Sequence, residues 1–434
     1  MKMPSEHRGF PERPSYSGAA SRTPNPSEPS STLLTPHFLL GFFYNFLLSL
    51  HFTSNAIYPL YVLHEGGTVA TVGLYMGVYS VAGVLGRPFV GLLIDRFGSK
   101  PVLILGSLCL SLPALMYIFF LGHGLGIPVW TLRVVQGFGY GAHFSATFTL
   151  AAQLSPRARR TEAMALYGVS GLSGSMVGPL FSEYLVTQHG LAWFFAAMTG
   201  FGILAATVIS RLTPPRREES AGGRMADIVP ALRGSGLKFV GIAAFLLAIS
   251  YTCPMTFLAT FARAHSIEKF SLYFTAWGLA GILVRTIGGK WGDRYGSTRM
   301  LVPGMALYGC GLVLIVLSTS LPTIVLAGLF CGAAHGVSFP AVASLAFTLA
   351  PKAFRGVAMS LVTGMMDVGT ATIAFAGGPL AEQFGVSLVF PVAAIASFAG
   401  AGLATAKYFR EKAHATPDAG TAEPSSVSAV DRIR

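Results

Sequence analysis

The sequence predicts an all-α membrane protein with 12 transmembrane helices in two pseudo-symmetric six-helix halves. Three observations carry this. The 434 residues are 52% hydrophobic and only 11% charged, too apolar and too sparsely charged for a soluble chain of that length. Twelve apolar runs are long enough to cross a bilayer, at about 20 residues per crossing. A polar motif also recurs half a chain apart, as Gly91, Asp95, Arg96, Gly98 and Lys100 and again as Gly289, Asp293, Arg294, Gly296 and Arg299. The pairs Gly91/Gly289, Asp95/Asp293 and Gly98/Gly296 keep an offset of 198 residues, and so do the upstream Arg87 and Arg285. Such spacing points to duplication of a six-helix unit.

In chain order, residues 1–35 are rich in Pro, Ser and Arg and read as a disordered tail without the basic-then-apolar pattern of a signal peptide. The first half, 36–210, holds runs at about 37–62, 70–94, 101–122, 127–154, 162–187 and 190–210. A linker at 211–236 follows, with Pro214, Pro215, Arg216 and Arg217. The second half, 237–410, holds runs at 237–262, 270–292, 300–320, 322–350, 357–383 and 387–409, and 411–434 is a second polar tail. Connections after odd-numbered runs carry only Arg263 and Lys269, whereas those after even-numbered runs, with their helix ends, carry sixteen Lys and Arg residues. Basic residues stay on the cytoplasmic side, so the Asp95 loop, the linker and both tails are expected there. The +12 net charge sits in these short gaps and not on a soluble module, which argues against a nucleic-acid binder.

The motif has a physical reading. Gly91 allows close approach of a neighbouring backbone, Gly98 turns the chain, and Asp95 can accept from the N–H groups of a nearby helix start. These residues resemble the signature loop of the major facilitator superfamily, which joins helices 2 and 3 and recurs between helices 8 and 9. Ser99, where a basic residue is common, and Pro101 depart from the usual form. The resemblance implies solute transport by alternating access, with Asp95 and Asp293 latching the cytoplasmic face in one state.

A second repeat lies in runs 4 and 10, where Gly137/Gly332, Gly141/Gly336 and Pro156/Pro351 keep an offset of 195. Run 4 also carries Arg133, Gln136, Tyr140 and His143 on one helical face. An unpaired arginine in a span costs about 2.5–3.5 kcal/mol, and the bland alternative is an arginine that snorkels outward. The segment resembles the family's helix-4 motif, whose arginine is tied to proton coupling in its antiporters. In run 11, Asp367 is the one carboxylate deep in a span, on a stripe of small and polar residues that includes Thr363, Gly364, Thr370 and Ala374. It is a proton-coupling candidate or a structural partner for a cation such as Arg285.

Run 1 places Tyr44, His51, Asn55 and Tyr58 on one face, with Asn45 beside it. These and, in the second half, Tyr251, Trp277 and His335 are candidates to line a solute cavity. Gly174, Gly178 and Pro179 in run 5 resemble the helix-5 motif of drug/proton antiporters, although Phe181, Ser182 and Glu183 follow where glycines are usual. Cys109, Cys253, Cys310 and Cys331 all lie within apolar runs and show no metal-ligand spacing. No catalytic set or phosphate-binding loop is present in the sequence.

The expectation is therefore a plasma (inner) membrane secondary transporter and not an enzyme. It would take energy from a proton gradient, use no cofactor, metal or nucleotide, and act as a monomer in the lipid bilayer. Export of a small organic solute is favoured by the helix-5 resemblance. A proton-coupled importer, or a non-transporting sensor on the same fold, are the alternatives.

Overall fold

Helix occupies each of the twelve expected stretches in the computed structural model, which describes residues 33–155, 159–213, 236–288, 291–351 and 355–415. Most of the tails and of the linker, together with Gly289, lie outside the described residues. Among the described residues, nine helices are long and apolar enough to cross a membrane, and Leu272–Gly288 is apolar but shorter. Two further helices, Ile127–Leu154 and Arg160–His189 (28 and 30 residues), carry Arg133, Gln136, His143 and Glu183 and stand outside the nine.

The first span begins at α1 (Pro36–Thr53), where Thr35 caps the helix through Phe38 N at 3.2 Å and Pro36 occupies its first turn. It tightens into a 3₁₀ turn at Ser54–Ile57 and resumes as α2 (Tyr58–His64). The cause is Pro59, whose missing N–H leaves the Asn55 carbonyl without its α-helical donor. Tyr58 N–H donates to that carbonyl instead, and the tightened turn carries the Asn55 side chain.

Next come α3 (Val69–Phe97), α4 (Ser99–Phe119), α5 (Ile127–Leu154), α6 (Arg160–His189) and α7 (Leu191–Ser210). The second half comprises α8 (Leu237–Ala264), α9 (Leu272–Gly288), the short α10 (Trp291–Tyr295), α11 (Ser297–Val316), α12 (Leu321–Leu349), α13 (Arg355–Phe384) and α14 (Val389–Ala415). Gly98 and Gly296, at φ +86° and +83°, make the matching turns into α4 and α11, in a backbone region that essentially only glycine adopts.

The repeated glycines of runs 4 and 10 mark equivalent crossings. A Cβ on Gly141 would stand 2.7 Å from the Gly83 carbonyl oxygen, and one on Gly336 would stand 3.0 Å from that of Gly281. α5 thus lies against α3 as α12 lies against α9, backbone to backbone.

Between the halves, α3 packs on α13 and α6 on α9. A Cβ on Gly378 would fall 3.0 Å from Gly73 Cα. Near the same end, Ala70 N donates to Glu382 Oε2 (3.1 Å) and Ser271 N donates to Glu183 Oε2 (3.0 Å). The inter-half polar contacts made by Ala70, Arg87, Ser271 and Thr275 lie at the level of Arg87 or beyond it, away from the Asp95 loop. The halves close on each other at that end.

Candidate functional site

The deepest charge is Arg133 on α5, 1% exposed. Its Nη2 donates to Asn55 Oδ1 (2.7 Å), Nε to the Tyr75 carbonyl (3.2 Å) and Nη1 to Gln136 Oε1 (3.3 Å). Three rings surround the guanidinium, with centroids 4.6 Å (Tyr58), 4.6 Å (Tyr75) and 4.3 Å (Tyr79) from Cζ. Gln136 Nε2 in turn donates to Tyr58 OH at 2.8 Å, and Tyr75 OH donates to Tyr117 OH at 2.8 Å. No carboxylate pairs with Arg133 among the described residues. The cation is held by neutral acceptors and π faces, each face worth about 0.5–2 kcal/mol.

One layer towards the second half, Arg87 on α3 crosses to α13. Its Nη2 lies 2.6 Å from Asp367 Oδ2, and its Nη1 donates to Thr363 Oγ1 at 3.1 Å. Both side chains are largely buried, at 19% and 13% exposure, and Phe144 lies 5.6 Å from the guanidinium. The partner of Asp367 is therefore Arg87 and not Arg285. The reason is topological: α3 is the helix that packs on α13, whereas α9, which carries Arg285, packs on α6. Tyr140 lies within electrostatic range of Asp367, Arg87 and Tyr251 and stacks on Phe52 (4.6 Å) and Tyr79 (5.5 Å).

In the second half, Tyr251, Trp277 and His335 come together as neighbouring rings. His335 lies 5.2 Å from Tyr251, 5.0 Å from Trp277 and 5.5 Å from Phe339.

Four other candidates are engaged inside the first half. Tyr44 donates to the Leu103 carbonyl (3.1 Å), and Asn45 Nδ2 to Tyr167 O (2.9 Å) and Ser170 Oγ (2.6 Å). His51 Nδ1 meets Met198 O (3.0 Å), and His143 Nδ1 meets Thr147 Oγ1 (3.1 Å). Each ties one helix to a neighbour or to its own next turn. Gly174 and Gly178 let α6 lie on α1, where added Cβ atoms would come 2.6 Å from Phe46 O and 2.5 Å from Leu50 O; Pro179 follows inside the helix.

The signature loop is solvent-facing. Asp95, Arg96, Arg294 and Arg299 are exposed, and no described residue makes the close approach expected at Gly91. The Asp293 side chain and Gly289 lie outside the described residues. Ser99 donates to Gln153 Oε1 at 2.9 Å, fastening the start of α4 to the end of α5.

Sequence reasoning used Arg87 only as a repeat marker and did not single out Tyr75 or Tyr79. The signal for them was present, since Tyr75 and Tyr79 are four apart on a span whose face also presents Met76. No pattern in one chain pairs Arg87 with a residue 280 positions further on.

Comparison with known proteins agrees with this geometry. A family model described as Major Facilitator Superfamily matches residues 38–238 and 240–432. The chain belongs to that superfamily and is a multi-pass membrane transporter, not an enzyme. Among curated proteins it is similar to the multidrug resistance protein MdtG of Serratia proteamaculans, 26% identical over 358 residues, covering 78% of this chain and 85% of that one. It is also similar to an uncharacterized MFS-type transporter of Methanocaldococcus jannaschii, at 24% identity, covering 79% and 90%. Two solved structures share the fold. A mutant of the nucleoside transporter NupG superposes with a TM-score of 0.70 at 13% identity, covering 86% of this chain and all of that one. A mutant of the peptide transporter POT gives 0.69 at 14%, covering 86% and 94%.

Proposed function

We propose that this transporter exports small organic solutes across the inner membrane in exchange for protons. The observation that carries the reading is the Arg87–Asp367 pair, which joins the two halves at mid-span. Protonation of Asp367 removes the charge that holds Arg87, so proton occupancy and the contact between the halves become one equilibrium. The similarity to multidrug resistance proteins supports export.

In this reading the Asp95 loop and both tails are cytoplasmic, following the bias of Lys and Arg. The closed end then faces outward, and the described conformation is the one that loads solute from the cytoplasm. Arg133, in its cage, ties the 3₁₀ turn of the first span to α3 through Asn55 Oδ1 and the Tyr75 carbonyl.

The test is solute-triggered proton efflux from inverted vesicles under an imposed proton gradient. Wild type should release protons on solute addition, and Asp367→Asn should bind solute without proton movement. Transport that ignores the gradient in wild type, or proton release that survives in Asp367→Asn, overturns the coupling.

A further inference from the structure

Arg285 is the repeat counterpart of Arg87, 198 residues on, yet it has a different environment. Unlike Arg87, it makes no ion pair or hydrogen bond with any described residue; its Nε, as in Arg87, is buried without a partner. Across the interface it meets Gly168 of α6, where an added Cβ would stand 3.2 Å from Nη1. The offset of 200 that relates Gly178-Pro179 to Gly378-Pro379 puts Tyr167 where α13 has Asp367. Tyr167 is turned towards Phe38, with ring centroids 5.2 Å apart, and supplies no charge.

The surroundings of Arg285 make a built site. Its guanidinium lies 5.7 Å from the Phe339 ring, which stacks 5.5 Å from His335. His335 is 8% exposed and its Nδ1 also has no hydrogen-bond partner. Tyr251 and Trp277 complete an aromatic wall around that imidazole. Two unsatisfied nitrogens next to stacked rings are costly in a membrane protein unless something completes them. Charge points the same way. Of the three arginines deep in the spans, Arg87 has Asp367 and Arg133 has its tyrosine and amide cage, whereas Arg285 has the single Phe339 face and no anion or hydrogen-bond acceptor among the described residues.

We propose that Arg285 and His335 form an anion subsite for the transported solute, which is an organic acid: an oxyanion on Arg285 and an aromatic or apolar body against Tyr251, Trp277 and Phe339. This rests on the reading of the interface between the halves as the solute path, but it requires neither proton coupling nor a direction of transport. Guanidinium geometry favours a carboxylate-type group, which can accept two parallel N–H donors.

The experiment is equilibrium binding by calorimetry to the full chain in lipid nanodiscs, without any gradient. The probes share one body: 2-naphthoate, its neutral amide, and 2-naphthylmethylamine. Wild type should bind the naphthoate at least about tenfold more tightly than the amide and the amine, the size of one well-placed charged contact. Arg285→Gln should lose that preference with no fall in melting temperature, and Arg285→Lys should keep part of it. Equal or tighter binding of the amide or amine, no binding of any probe, or an anion preference that survives in Arg285→Gln each overturns the subsite. A protein that prefers the anion yet shows no proton exchange in vesicles retains the subsite and loses only the coupling.

Discussion

Arg87 and Arg285 occupy the same place in a duplicated motif, and the molecule treats them in opposite ways. The first reaches across to a carboxylate at 2.6 Å and a threonine at 3.1 Å. The second reaches across to a glycine and finds no acceptor among the described residues. The helices that carry them pack alike, each on the fifth helix of the other half, so the backbone repeat survives where the chemistry does not. Duplication preserves what packing needs, namely the glycines at the α3–α5 and α9–α12 crossings. It leaves the charged interior positions free to diverge, and those positions are where the two halves take different tasks.

The sharpest break of this comparison is to remove the one acid. Asp367→Asn leaves Arg87 buried and unpaired, and should cost about 3 kcal/mol, read as a lower Tm in detergent. Arg285→Gln removes a cation that has no partner to lose, and its Tm should stay level or rise. The double variant Arg87→Gln with Asp367→Asn should be less destabilised than Asp367→Asn alone, because no lone charge remains. Equal losses in Asp367→Asn and Arg285→Gln would mean that the two arginines are held alike.

Arg133 sharpens the contrast from a third side, as a buried cation that needs no acid. Arg133→Lys keeps the charge but cannot reach Asn55, Gln136 and the Tyr75 carbonyl together, and should lose about 2 kcal/mol in the same unfolding assay. Tyr79→Phe keeps the ring and should change little, whereas Tyr79→Leu should cost about 1 kcal/mol. Were Tyr79→Leu neutral, the cage would contribute nothing and the amide contacts alone would hold the guanidinium.

These differences mark the limit of what one sequence discloses. The fold was legible because hydropathy period and basic-loop bias act along the chain, and the 198-residue repeat needs no structure to be seen. Arg133 with Gln136 was also legible, since both lie on one face of a single helix. The Arg87–Asp367 pair was not, because which helix of one half meets which helix of the other is decided by packing between halves. Helical spacing likewise grouped Tyr44, His51 and His143 with cavity candidates, although a polar face can equally serve a neighbouring helix, and Leu103, Met198 and Thr147 take those polar groups up. Glu183 looked like a departure from a glycine pattern. Its carboxylate on Ser271 N supplies the reason for an acid there.

Glu183 and Glu382 also offer a case in which the two halves do agree. Each carboxylate accepts from the first N–H groups of a helix in the opposite half, at 3.0 and 3.1 Å, an arrangement worth about 1 kcal/mol against the positive helix end. Glu183→Gln and Glu382→Gln should each shift the population about fivefold towards separation of that end. The shift should be read as longer electron-spin distances between labels placed across it in a cysteine-free background. A large effect from one and none from the other would extend the asymmetry of the arginines to the closed end.

The smallest effect belongs to a carboxylate outside the spans. Burial pushes the Glu65 carboxyl up, but the N–H groups of Gly122 (3.0 Å) and Gly124 (3.0 Å), with His64 beside it, outweigh that and hold it below the ordinary carboxylate range. Gly122 and Gly124 sit at φ +77° and +73°, the left-handed conformation that lets this loop present its N–H groups inward. A group whose folded-state pKa is depressed stabilises the fold above its unfolded pKa of about 4.3, and that contribution disappears as pH falls through the lower folded value. Wild type should therefore lose stability below about pH 4 in a step that Glu65→Gln lacks, while the two proteins keep a constant difference in Tm between pH 6 and pH 8. At the equivalent bend of the second half, the offset of 200 puts His265 where Glu65 stands and Ser266 where Gly66 stands, and the nearest acid, Glu268, comes three residues later. An acid-labile step that persists in Glu65→Gln would move its origin to another carboxylate and remove this last contrast between the halves.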